Sequence, residues 1–195
     1  MSTVKIAMVG PKGIGKSVLS NALAGDFSSY GDMPTVGVRI REIRVPLLND
    51  YSTIPVELWD VSGDIKYEHC WPAITDGLNG LIIVYNPKNQ MQSKEVSLWM
   101  EAFCKNSDVT SGQVVIWALN LPTDQSPPPI KYEGKTGTLR IPIVGVSISE
   151  NPKANEDIQF NGDVSWQSFA DACYRMHPDN QELEDEDDAF LDGNN

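Results

Sequence analysis

One short loop constrains this chain more than any other feature. Gly10-Pro11-Lys12-Gly13-Ile14-Gly15-Lys16-Ser17 follows directly on Lys5-Ile6-Ala7-Met8-Val9, an apolar run that reads as a buried strand. It runs into Ser17-Val18-Leu19-Ser20-Asn21-Ala22-Leu23, whose apolar positions 18, 19, 22 and 23 fit a helix. Strand, glycine-rich loop and helix in that order make a phosphate cradle. The glycines let backbone N–H groups turn inward, Lys16 offers a charge to β- and γ-phosphates, and the Ser17 hydroxyl suits Mg²⁺. The helix begins at about Ser17, so its positive dipole end faces the same anion. The residues expected to touch the nucleotide here are Gly13, Ile14, Gly15, Lys16, Ser17 and Val18.

The rest of the chain supplies a sheet to carry that loop. Strands are expected at 36–45, where Val38 and Ile40 alternate with Arg39 and Arg41, and at 55–60. Two continuous apolar runs, 81–85 and 114–119, read as strands buried on both faces, and 141–146 reads as a weaker one. Helical patterns intervene at 91–104 and 165–176, the second opened by a serine cap. Alternation of this kind predicts an α/β fold with a mostly parallel six-stranded sheet and right-handed crossovers. Residues 122–137, with Pro127-Pro128-Pro129, hold no convincing helix, so one crossover helix, the fourth, is expected to be reduced or absent.

Charge divides the chain into two parts. Of its 27 acids, eight lie from Asp179 onward, whereas all 15 lysines and arginines precede that point. We therefore expect a domain over 1–178 and an acidic disordered tail over 179–195, either a plain solvated terminus or a tether for a basic surface. A net charge of −12 makes nucleic acid and anionic membrane poor partners. No sequence for a lipid anchor is found, and no apolar run reaches membrane-spanning length. The three cysteines, Cys70, Cys104 and Cys173, are widely spaced and form no CxxC, which suits a reducing compartment and neither a disulfide framework nor a zinc site.

Two further motifs complete the phosphate site. Asp60-Val61-Ser62-Gly63 ends an apolar strand on an acid able to hold the Mg²⁺ shell through water, with the Gly63 N–H free to approach a γ-phosphate. Thr35, in Met33-Pro34-Thr35-Val36-Gly37, is spaced to give a second hydroxyl to Mg²⁺. The expected metal set is thus Ser17, Thr35 and Asp60.

With these motifs the chain resembles a Ras-superfamily small GTPase, a P-loop NTPase domain. Trp59-Asp60-Val61-Ser62-Gly63 and Pro34-Thr35-Val36-Gly37-Val38 are similar to the second and first switches of Rab proteins. Glu68-His69-Cys70-Trp71-Pro72-Ala73 and Asn79-Gly80-Leu81-Ile82-Ile83-Val84-Tyr85-Asn86 resemble the Rab-like GTPase subunits of the intraflagellar transport B complex. The motifs are specific from about 4 to 104, and from 105 to 178 the likeness rests on topology. It implies binding of GTP and GDP with Mg²⁺, coiled-coil subunits of that complex as partners, a role in cilium or flagellum assembly, and a place in cytoplasm and cilium.

Departures from the family pattern carry information of their own. The guanine-reading Asn-Lys-x-Asp motif stands here as Asn120-Leu121-Pro122-Thr123-Asp124, without the lysine and with the acid one residue late. The last base-contacting loop, Ser147-Ile148-Ser149, also lacks its lysine. Asn120, Asp124, Ser147 and Ile148 are the expected base-side residues, and weakened guanine readout leaves ATP binding open. Asp64 replaces the glutamine that orients the attacking water, and Lys12 stands where a small residue admits an arginine finger. Both predict very slow hydrolysis, against the alternative of a cycling GTPase switch. Arg39, Arg41 and Arg44 read either as edge-strand charges or as a docking surface, and Trp71 as a core plug or an interface anchor.

Overall fold

The computed structural model describes residues 2–26, 34–48, 52–121, 125, 128–148, 158–160 and 165–179. The acidic segment 180–195 and Asp124 lie outside them. A central sheet runs in the order β2 (Val38–Pro46), β3 (Thr53–Val61), β1 (Val4–Val9), β4 (Gly80–Tyr85), β5 (Val114–Leu119), β8 (Ile143–Ile148) and β9 (Ile158–Phe160). β1 is parallel to β3 and β4, β4 to β5, and β5 to β8, while the outer pairs β2–β3 and β8–β9 are antiparallel. The sheet therefore has seven strands rather than the expected six. The additional one is β9, three residues long, too short to show periodicity in the sequence.

Alternation within β1 explains why the sheet is covered on both faces. Ile6 and Met8 point into one core, with Leu19 and Leu23 of helix α1 (Lys16–Leu23) and Phe169 and Cys173 of helix α4 (Trp166–Arg175). Ala7 and Val9 point into the other, with Ile74 of the short helix α2 (Trp71–Thr75) and Val96, Trp99 and Phe103 of helix α3 (Gln90–Cys104). Each long helix has a local cause. Asn89 caps α3 by accepting from the backbone N–H of Met91 and Gln92, and Ser165 caps α4 by accepting from Ser168. Cys104 and Cys173 are buried in these cores, where burial pushes the Cys104 thiol up to about 12 and so keeps it inert.

In the crossover between β5 and β8, strands β6 (Ile130–Gly134) and β7 (Gly137–Ile141) form a separate hairpin. Among the described residues of this crossover no helix occurs, and the hairpin does part of the work of one. Leu139 and Ile141 are buried against Phe103 and Cys104, the Lys135 N–H donates to the Cys104 carbonyl at 3.2 Å, and the Tyr132 hydroxyl donates to Glu101 at 2.8 Å. Pro142 then separates β7 from β8, so the single weak strand expected over 141–146 is two.

Candidate phosphate and metal site

The site is built at the carboxyl ends of β1 and β3, where a parallel sheet leaves a crevice. From β1 the chain turns through Gly10 at φ +142°, Gly13 at +74° and Gly15 at +97°, and Gly15 hands it to α1 in the left-handed conformation. At Gly10 a Cβ would lie 2.1 Å from the Val84 carbonyl oxygen, so both conformation and space demand glycine there. Lys16, the first residue of α1, is buried, and its Nζ donates to the carbonyls of Gly10 and Pro11 at 2.8 and 2.9 Å. Desolvation pushes its pKa down to about 8, opposed by the charge of Asp60.

Three residues far apart in sequence meet beside Lys16. The Ser17 and Thr35 hydroxyls lie 2.8 Å apart, and Thr35 donates to one Asp60 oxygen, Oδ2, at 3.0 Å. Asp60 is fully buried, and its other oxygen, Oδ1, has no hydrogen-bond partner. A buried carboxylate oxygen without a partner is costly. Two hydroxyls and that oxygen form a donor set suited to a hard cation such as Mg²⁺. Among the described residues no cluster of three His, Cys, Asp or Glu exists, so this oxygen set is the metal-like arrangement they contain.

Around it lies a cavity of about 590 Å³, lined by residues 12–18, Pro34, Thr35, Val36, residues 61–64, Lys66 and Tyr67. The two expected switch segments are joined at its rim, where the Ser62 N–H donates to the Gly37 carbonyl at 2.8 Å. Gly63 packs so closely on the phosphate loop that a Cβ there would come within 2.4 Å of the Lys12 nitrogen. Beside it, Asp64 accepts from Lys12 Nζ at 3.1 Å and lies 3.4 Å from Lys66 Nζ. Its carboxyl is held below the ordinary carboxylate range, first by the Lys12 hydrogen bond and then by the Lys66 backbone N–H.

The base-side residues are less completely assembled. Asn120 adopts a left-handed φ of +56° at the end of β5, and its N–H donates to the Val146 carbonyl at 2.9 Å. That bond sets it next to Ser147 and Ile148 at the end of β8. None of the three is among the described residues lining the phosphate cavity.

The expected partner residues separate. β2 is an edge strand, as its arginines suggested. Arg41, however, turns inward to Asp26 at 2.8 Å and to the Asn21 side chain, which pins the edge to α1. Arg39 is half-buried and Arg44 exposed. Trp71 packs at a tilt against Trp99 and Phe103 with ring centroids 5.2 and 5.5 Å away, and its Nε1 is buried, which favours the core reading. The sequence reading missed Lys66 and Tyr67 as cavity residues, and it took Lys12 and Asp64 as separate departures rather than as a pair.

Comparison with known proteins agrees with this geometry. A sequence model described as Roc, the Ras of Complex domain of DAPkinase, matches residues 5–120. The intraflagellar transport protein 22 homolog of Danio rerio is 32% identical over 193 residues, covering 95% of this chain and 97% of the relative. The chain belongs to the intraflagellar transport protein 22 family. The Homo sapiens member is 36% identical over 127 residues, 63% of this chain and 68% of its own length. Among solved structures, the GTP-bound T. brucei IFT22/74/81 crystal structure matches with a TM-score of 0.66 at 27% identity, over 94% of this chain and 99% of that one. The GTP-bound T. brucei IFT22 structure matches with a TM-score of 0.57 at 25% identity, over 93% of this chain and 99% of that one. Members of the family thus share a Ras-like fold, here with a hairpin in place of one crossover helix.

Proposed function

We propose that this chain binds GTP and GDP with Mg²⁺ and serves as a slowly hydrolysing, nucleotide-bound subunit of the intraflagellar transport B complex. The observation that carries the reading is the meeting of Lys16, Ser17 and Thr35 at one cavity, with the buried Asp60 hydrogen-bonded to Thr35 behind it, in a family whose T. brucei member was solved GTP-bound. The phosphates belong against the N–H groups of residues 13–18, with Lys16 as their counter-charge. Mg²⁺ would be held by the Ser17 and Thr35 hydroxyls, with Asp60 acting through water, and when bound it supplies positive charge to the β- and γ-phosphates. Binding draws Thr35 and Gly63 together, so the two switch segments become a surface that partners can read.

Slow hydrolysis follows from what surrounds Asp64. Both of its oxygens are engaged by Lys12 and Lys66, and a carboxylate cannot donate a hydrogen bond to a γ-phosphate as a glutamine amide can. The test begins by denaturing purified protein, identifying the released nucleotide, and titrating GDP, GTP and ATP with Mg²⁺. Guanine nucleotide is expected, with single-turnover hydrolysis accelerated about tenfold or more in the double variant Lys12→Gly, Asp64→Gln. Equal affinity for ATP would sink the guanine assignment, and a wild-type rate equal to the double variant's would sink the slow-hydrolysis one.

The partners proposed are coiled-coil subunits of the same complex, engaged in cytoplasm and cilium; the likeness to the T. brucei IFT22/74/81 structure supports assembly with other subunits. Because Arg41 is tied to Asp26, reversing its charge would loosen the sheet edge whatever the partner does. The clean probe is Arg39→Glu. It is expected to weaken capture by those subunits severalfold while the melting temperature holds; unchanged capture would remove Arg39 from the interface.

A further inference from the structure

The Lys12–Asp64 pair has more to do than slow a reaction. Lys12 leaves the phosphate loop and Asp64 leaves the second switch, and the two flank the point where Gly63 presses on the loop backbone. Both line the phosphate cavity, and both also line a neighbouring groove of about 550 Å³ bounded by Ile65, Trp71 and Leu98. The pair is therefore a wall between the two, standing beside the Gly63 N–H that a γ-phosphate would approach.

Charge makes this position demanding. A γ-phosphate brings negative charge next to the Asp64 carboxylate, and repulsion at that range penalises a triphosphate against a diphosphate. Lys16 donates to the Gly10 and Pro11 carbonyls from within the buried base of the loop. Lys66 lies 3.4 Å from the same Asp64 oxygen, and its ammonium also sits 4.8 Å from the Tyr67 ring centroid. Lys12 has a long side chain, 62% exposed, and an ammonium with three donors, of which one meets Asp64. It can turn toward a phosphate without repacking anything and without letting go of the carboxylate.

We propose that Lys12 adds to the discrimination of triphosphate from diphosphate in this protein, its ammonium shared between Asp64 and the γ-phosphate of the bound nucleotide. Lysine at this loop position, which closes the entrance to an arginine finger, is then matched to aspartate at the glutamine position. Each offsets the cost of the other. The inference rests on the nucleotide reading above, and measuring GDP in parallel keeps the two apart.

The test uses the full chain with Mg²⁺ and compares the affinities of GTPγS and GDP. Lys12→Met is expected to weaken GTPγS about tenfold and to leave GDP within about twofold. Asp64→Asn added to Lys12→Met is expected to recover most of that loss, because the repulsion goes with the carboxylate. Lys66→Met is expected to weaken GTPγS less than Lys12→Met does, because its ammonium is the more distant from Asp64, 3.4 Å against 3.1 Å. The proposal is overturned if Lys12→Met weakens both nucleotides equally, if Lys66→Met matches it, or if the double variant recovers nothing. Failure of the wild type to bind GDP at all would overturn the nucleotide reading together with this one.

Discussion

Replacing Lys16 by methionine is expected to lower affinity for GDP and GTP by about 100-fold. Methionine keeps the apolar stem and removes the counter-charge to the phosphates, the one buried lysine or arginine among the described residues. Titration of a fluorescent GDP analogue measures the loss, and circular dichroism melting checks that the fold survives. A decrease under about threefold would mean that the backbone cradle alone carries the affinity.

The same lysine predicts a pH dependence whose sign can be worked out. Burial lowers its pKa from 10.5 to about 8 in the folded chain. The unfolded chain keeps that proton up to 10.5, so between about pH 8 and 10.5 the unfolded state binds more protons and this group's contribution to stability rises with pH. Binding runs the other way. Phosphates hold Lys16 in its charged form, so the complex keeps a proton that the free protein loses, and affinity falls as pH rises above about 8. Affinities measured from pH 7 to about 9 are expected to show this fall in the wild type and a flat profile in Lys16→Met.

The second large effect concerns folding rather than binding. Gly10→Ala places a methyl 2.1 Å from the Val84 carbonyl oxygen at a φ of +142°, and neither the clash nor the strain can be relieved without separating β1 from β4. A destabilisation of about 3 kcal/mol or more is expected, which for a domain of this size lowers the melting temperature by roughly 6–12 °C. Gly13→Ala is the matched control, because its φ of +74° carries backbone strain but a Cβ there meets nothing within 4 Å. It is expected to cost about 1 kcal/mol. Equal losses at the two positions would show that backbone conformation, not contact with Val84, makes Gly10 necessary.

Much of the site was legible because its determinants are local or periodic. The cradle of residues 10–17 needs only glycine spacing, a preceding strand and a following helix, and all three can be read along the chain. Asp60 and Thr35 were legible through their spacing from Ser17, and the hydroxyl and carboxylate contacts bring all three together. The hairpin was missed although its alternation is present, with Ile130 and Tyr132 on one strand, Leu139 and Ile141 on the other, and Gly134 facing Gly137 across the turn. The proline run just before it drew attention to a missing helix instead of to the strands that take its place.

The kind of chemistry and the layered plan can be read from residue order alone. Glycine positions, strand ends and apolar periods are one-dimensional properties, and a parallel sheet converts them into a crevice at one edge without further information. The use made of the charged and aromatic side chains emerges only on folding. Arg41, which from its strand position reads as an edge charge or a docking residue, is bound to Asp26, and Trp71 stands in the aromatic cluster with Trp99 and Phe103. Lys12 and Asp64, 52 residues apart, proved to be one ion pair. A long side chain can reach several partners from a given backbone position, so its choice depends on which elements packing has brought within a few ångströms.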